Sequence, residues 1–142
     1  MIVIALFVFV AIQFYQPPLN EDGGRFYAAD FTQSYNINAN IVGLLHNSCY
    51  DCHSNNTNYR WYDYIQPARI LIESHIKEAK EELNFNNWGN YSNRKQDRLL
   101  NSIQEQIEKK EMPLSSYTLI HGHARLNAEQ IKALTNWFEQ QQ

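Results

Sequence analysis

An all-α domain is the fold class that the 142-residue sequence predicts. Three observations predict it. Apolar residues recur at three- and four-residue spacing through two long stretches, a well-capped amphipathic segment closes the chain, and no segment sustains the two-residue alternation of a half-buried strand. The expectation is a set of roughly three to five helices joined by long connections, preceded by a separate hydrophobic N-terminal helix.

The N-terminal element is "MIVIALFVFVAIQFYQPP", which carries no charge before Glu21. A bilayer-spanning helix needs about 20 apolar residues and the apolar part of an export signal about 7–15, and this run falls between the two. Pro17-Pro18 and a polar stretch follow at once, so residues 1–16 are expected to be a hydrophobic signal or anchor segment rather than a buried strand. That segment would place the rest of the chain on the periplasmic side of the cell envelope, held to the inner membrane, with its cysteines outside the reducing cytosol. Residues 17–36, with Gly23-Gly24 and scattered polar side chains, are expected to be a linker, and residues 37–142 the domain.

Within the domain, Ile37 to His46 suits a short helix with Ile41, Leu44 and Leu45 on one face. Tyr62 to Leu83 repeats Ile65, Ala68, Ile72, Ile76, Ala79 and Leu83 at helical spacing, and Pro67 favours a start near Gln66. His75 shares that face with Ile72 and Ile76 and reads as a core histidine. "NFNNWGNYSN" breaks the helix, and a further one is expected from about Asn93 to Lys110, with Leu99, Leu100, Ile103 and Ile107. In the last helix Asn127 is an N-cap, Gln130 completes a capping box, Leu126 and Ile131 occupy staple positions, and Ile131, Leu134, Trp137 and Phe138 form the apolar face.

Composition narrows the class. The chain is 44% hydrophobic and 19% charged, enough for one modest core, and its net charge of −3 with no clustered lysine or arginine excludes a nucleic-acid binder.

The chemistry concentrates in "NSCYDCHSN", which holds both cysteines of the chain, Cys49 and Cys52, with His53 directly after. Cys-x-x-Cys-His is the attachment signature of c-type haem. Two thiols separated by two residues match the two vinyl groups on one porphyrin edge, and the adjacent imidazole supplies the proximal iron ligand. A thioredoxin-like pair would need a βαβ context, which is missing. A zinc site would need a second pair of ligands, for which only His121 and His123 stand out. A disulfide three residues apart would constrain almost nothing. For the sixth iron position Met112 is favoured: Pro113 turns it out of the preceding helix, and it lies outside any apolar stripe. His121 and His123 are the alternatives. His46 stands too close to the motif to ligate as well.

A short helix, "CYDCH", about sixty residues to "MP", and a capped C-terminal helix with a tryptophan together resemble the class I cytochromes c. The blocks "SCYDCHSNNTNYRWYDYIQPARILIESHI", "ELNFNNW" and "EMPLSSYTLIHGHARLNAEQIKALTNW" are similar to those of the small haem-binding domain family of c-type cytochromes, over roughly residues 35 to 140. The resemblance implies a cytochrome c-like domain wrapped around one covalent haem c, with Cys49 and Cys52 as thioether positions, His53 proximal and Met112 distal. It implies single-electron transfer in the cell envelope, with a redox partner protein it does not specify and no enzymatic turnover. A haem-based sensor or peroxidase-like protein with an open distal site, and a non-haem CxxC redox or metal module, are the alternatives. Trp61, Tyr62, Tyr64, Trp88 and Tyr117 are candidates to cover the porphyrin or bond a propionate.

Overall fold

Helices and irregular segments, with no strand, make up the computed structural model, which describes residues 1–142. The helices are α1 (Ile2–Ile12), α2 (Phe31–Ser34), α3 (Ala39–Leu45), α4 (Asp51–His53), α5 (Ala68–Glu82), α6 (Asn93–Glu108), α7 (Ser115–Ile120) and α8 (Ala128–Glu139). A π turn, His46–Tyr50, joins α3 to α4 without a break, and 3₁₀ turns occupy Trp61–Tyr64, Phe85–Asn90 and Gly122–Ala124.

The expected capping box opens α8: Asn127 Oδ1 accepts from the Gln130 amide and Gln130 Oε1 from the Asn127 amide, each at 2.9 Å. The apolar faces of α6 and α8 pack on each other and carry Leu99, Leu100, Ile107, Leu134 and Phe138 into the core. Ile41, Leu44 and Leu45 of α3 close it from the side.

The centre of that core comes from the stretch read as a linker. Phe31, fully buried, meets Trp88 edge-on at 4.7 Å between centroids, Phe85 at 5.2 Å and Trp137 at 5.7 Å. Asp30 caps α2 by accepting from the Thr32 amide at 2.8 Å, and it also accepts from Asn86 Nδ2 at 2.7 Å and Tyr50 Oη at 3.0 Å. Gly89 donates to the Ala29 carbonyl at 2.8 Å, and a Cβ at Gly89 would stand 3.2 Å from the Ala29 Cα, so only glycine lets these backbones meet unforced. The second half of the 17–36 segment is therefore part of the domain. A four-residue helix shows no periodicity, which is why hydrophobic pattern alone leaves it out.

Other corrections are local. α5 starts at Ala68, because residues 61–64 form a separate turn, and of its expected apolar face only Ile76 and Leu83 are buried. α7 was not expected; Leu119 and Ile120 on it are exposed. α1 is apolar on every side and solvent-exposed over almost its whole length. Its eleven residues give a rod of about 16 Å. No helix is long and apolar enough to cross a membrane.

The end of α6 positions a predicted site residue. Lys110 takes a left-handed backbone with φ of 58°. The Glu111 amide reaches back to the Gln106 carbonyl at 2.9 Å and the Lys110 amide to the Ile107 carbonyl at 3.1 Å. These are the paired bonds of a Schellman stop, made here on lysine rather than glycine. The chain reverses at once, and Met112 follows.

Candidate functional site

The CxxCH motif is helical. With Cys49 on the π turn and Cys52 and His53 on α4, the three side chains follow one another at positions i, i+3 and i+4, which share a helix face. π turns are uncommon and often mark functional positions. The two residues between the cysteines anchor the motif from opposite sides. Tyr50 stacks flat on Phe85 at 5.0 Å and donates to Asp30. Asp51 accepts from Tyr117 Oη at 2.6 Å. Ser48 adds a bond to the Ala124 carbonyl at 3.0 Å.

Beside the motif lies a cavity of about 410 Å³, lined mainly by apolar side chains. Cys49 and His53 border it on one side, Ala79 and Leu83 at the end of α5 on another, and Leu99, Ile103 and Ile107 of α6 opposite. Met112 and Pro113 contribute from the loop after the Schellman stop. A volume of this size suits a bound small molecule or cofactor.

His53 is held by main-chain groups. Its Nδ1 stands 3.2 Å from the Ala79 carbonyl and 3.0 Å from that of Leu83. Carbonyl oxygens only accept, so the proton is on Nδ1 and Nε2 carries a free lone pair. This is the arrangement in which a metal-ligating histidine is oriented by a hydrogen bond from its other ring nitrogen. Burial holds its pKa below 6.5, against the upward pull of the two carbonyls, so the ring is neutral at pH 7.

Cys49 and Cys52 are free thiols. Burial, with the neighbouring Cys52 as a lesser cause, pushes the Cys49 thiol up to about 12; burial and the Asp51 charge push Cys52 up to about 11. A redox-active dithiol needs the opposite shift, and no group of three or more His, Cys, Asp or Glu side chains converges as a metal-ion site.

Of the predicted residues, the structure brings Cys49, His53 and Met112 to one cavity, whereas Cys52, His121 and His123 do not line it. Both nitrogens of His121 are engaged: Nδ1 donates to the Tyr117 carbonyl at 3.1 Å, and Nε2 accepts from Tyr62 Oη at 3.0 Å. His123 is exposed. His75 is not a core residue; it is exposed at the cavity rim. None of Trp61, Tyr62, Tyr64, Trp88 and Tyr117 borders the cavity; the aromatic that does is Phe85, edge-on to His53 at 6.2 Å. Arg98, Ser102 and Gln106, also on the wall, were not anticipated, although their spacing with Leu99 and Ile103 along α6 marks a second face of that helix.

The tautomer of His53 has a measurable consequence. Without haem, the unfolded chain binds a proton on this residue near pH 6.5 that the folded chain resists, so stability is fully present above that pH and falls as pH drops through it. Thermal unfolding of the haem-free chain at about pH 7.5 and about pH 5.5 should show a loss in acid that His53→Asn reduces, since asparagine can donate to the same carbonyls without titrating. Equal losses in both proteins would show that this histidine has no part in the acid sensitivity.

The donor set fits haem: a fixed neutral imidazole, reduced thiols beside it, and a thioether bordering the same apolar slot. No curated protein and no solved structure matches the chain. The family model of the haem-binding domain matches residues 7–140, nearly the whole length, and the protein belongs to that haem-binding family.

Proposed function

We propose that the chain binds one haem covalently, as haem c, through Cys49 and Cys52, and works as a single-electron carrier rather than an enzyme. The observation that carries this reading is the shared cavity of Cys49, His53 and Met112. His53 offers an unprotonated Nε2 as proximal ligand, with its ring angle set by two carbonyls that cannot rotate away. Met112 offers its thioether as distal ligand from a loop fixed by the end of α6. Bound between them, haem iron supplies one-electron redox chemistry, and thioether ligation favours its ferrous state. Leu83, Phe85, Leu99 and Ile103 give the slot an apolar wall, which lowers the effective dielectric along that side. Protonated thiols with raised pKa values suit cysteines that await attachment rather than exchange with disulfides.

An apolar α1 supports anchoring in the cell envelope, on the side where cysteines are exposed to oxidising conditions. Expression with export and haem-attachment machinery tests the whole reading. The intact mass is expected to exceed that of the polypeptide by one haem, the mass should survive acid-acetone extraction, and reduction should sharpen the absorption bands into a low-spin spectrum. Cys49→Ser with Cys52→Ser should abolish the covalent gain. A protein with two alkylatable thiols and no mass gain under those conditions would overturn it.

A further inference from the structure

We propose that Trp61, Tyr64, Ile65 and Leu71 form a lipid-seating collar around the base of α1, on which the domain rests at the headgroup boundary of a bilayer that α1 enters. This inference builds on the reading of α1 as an anchor and adds the surface of the domain that meets the lipid.

The root of α1 is fastened to one turn of the domain. The Gln66 amide donates to Gln13 Oε1 at 3.0 Å, and Gln13 Nε2 donates to the Gln66 carbonyl at 3.4 Å. Gln66 Nε2 donates to the Tyr15 carbonyl at 2.5 Å, and the Arg69 side chain donates to the Pro17 carbonyl and to Gln16. The point where the apolar rod leaves the domain is therefore the turn between residues 65 and 69.

That turn is bordered by large apolar side chains left in solvent. Trp61 is 75% exposed, Leu71 58%, Tyr64 43% and Ile65 40%, while Phe14 and Tyr15 stand out at 85% and 62% on the chain itself. Trp61 and Tyr64 are the first and fourth residues of a 3₁₀ turn, Trp61 edge-on to Tyr62 at 5.6 Å and Tyr64 tilted against Tyr59 at 6.0 Å. Exposed apolar side chains thus recur along the chain from this turn to the first turn of α5.

The residue types identify the occupant. Tryptophan and tyrosine join an apolar ring to a polar edge, and they gather where the hydrocarbon of a membrane meets its headgroups. Exposed Arg60, next to Trp61, adds a cation suited to anionic headgroups. With the collar at that level, the roughly 16 Å of α1 would lie within one side of a hydrocarbon layer about 30 Å thick. α5 starts at the collar, and its cavity-lining residues, His75 to Glu82, follow 7–14 residues after Ala68, about 10–21 Å along the helix. The cavity lies that far along α5 from the lipid-facing turn, which leaves it open to a partner in the aqueous phase.

The full-length holoprotein, reconstituted into vesicles of phosphatidylcholine and phosphatidylglycerol carrying a diazirine-tagged phospholipid, gives the test. After photolysis, mass spectrometry is expected to find lipid on α1 and on residues 61–71, and none on α6. Trp61→Ser with Leu71→Ser, both at exposed positions, should lose the second set of adducts and keep the first. Adducts on α1 alone in the wild type would overturn the collar and leave the anchor standing. No lipid on either segment would overturn both.

Discussion

On the proposed ligation, replacing Met112 with alanine is expected to leave haem attached and to free one side of the iron. The thioether is removed while Cys49, Cys52 and His53 remain, so the covalent mass is unchanged. The reduced variant should bind carbon monoxide rapidly where the wild type does not. Its midpoint potential should fall by on the order of 100–300 mV, part of the roughly 0.8 V that axial ligands command. His121→Ala and His123→Ala serve as the comparison. Neither side chain borders the cavity, so both variants should keep the wild-type potential and spectrum. If Met112→Ala keeps them too, while His121→Ala opens the iron, the assignment of Met112 is wrong.

Phe31→Ala is expected to cost about 3–5 kcal/mol, the range for removing a buried aromatic ring. Against a total stability of about 5–15 kcal/mol this removes from about a fifth to all of the margin. The ring has no room to be replaced by rearrangement, because Phe85 and Trp88 of one 3₁₀ turn and Trp137 of α8 meet it edge-on. Urea unfolding followed by far-ultraviolet circular dichroism should show a lower midpoint with an unchanged slope. A loss below about 1 kcal/mol would mean that residues 29–35 peel away from the domain independently of its global unfolding.

These two residues also mark what the sequence could and could not disclose. The break that brings Met112 to the cavity wall was legible because two local signals coincide there: a helix end, and a following proline that forbids continuation. The capping box of α8 was legible for the same reason, since its partners lie three residues apart and need nothing from the rest of the fold. Phe31 gave no such signal. Its partners are at least 50 residues away, apart from Tyr35, and its own helix is four residues long. The carbonyls of Ala79 and Leu83 that orient His53 were invisible in principle, because every residue has a carbonyl and only the fold decides which ones meet an imidazole. The aromatic residues misled in the opposite direction. Their number suggested a wall around a flat ring, but Trp88 is consumed by the core, Tyr117 by Asp51, and Trp61 is left outside. His75 follows an apolar helical face that the fold buries only in part, and its own side chain is left exposed.

The Schellman stop at Lys110 makes α6 a spacer of fixed phase. Its sixteen residues end at a set point, and the sulfur follows two positions later. One residue added ahead of the stop would swing Met112 about 100° around the helix axis and shift it about 1.5 Å along, out of register with the imidazole beside the cavity. The solvent-facing positions of α6 are therefore free to change in kind but not in number, and tolerance to deletion should separate sharply from tolerance to substitution along this one helix.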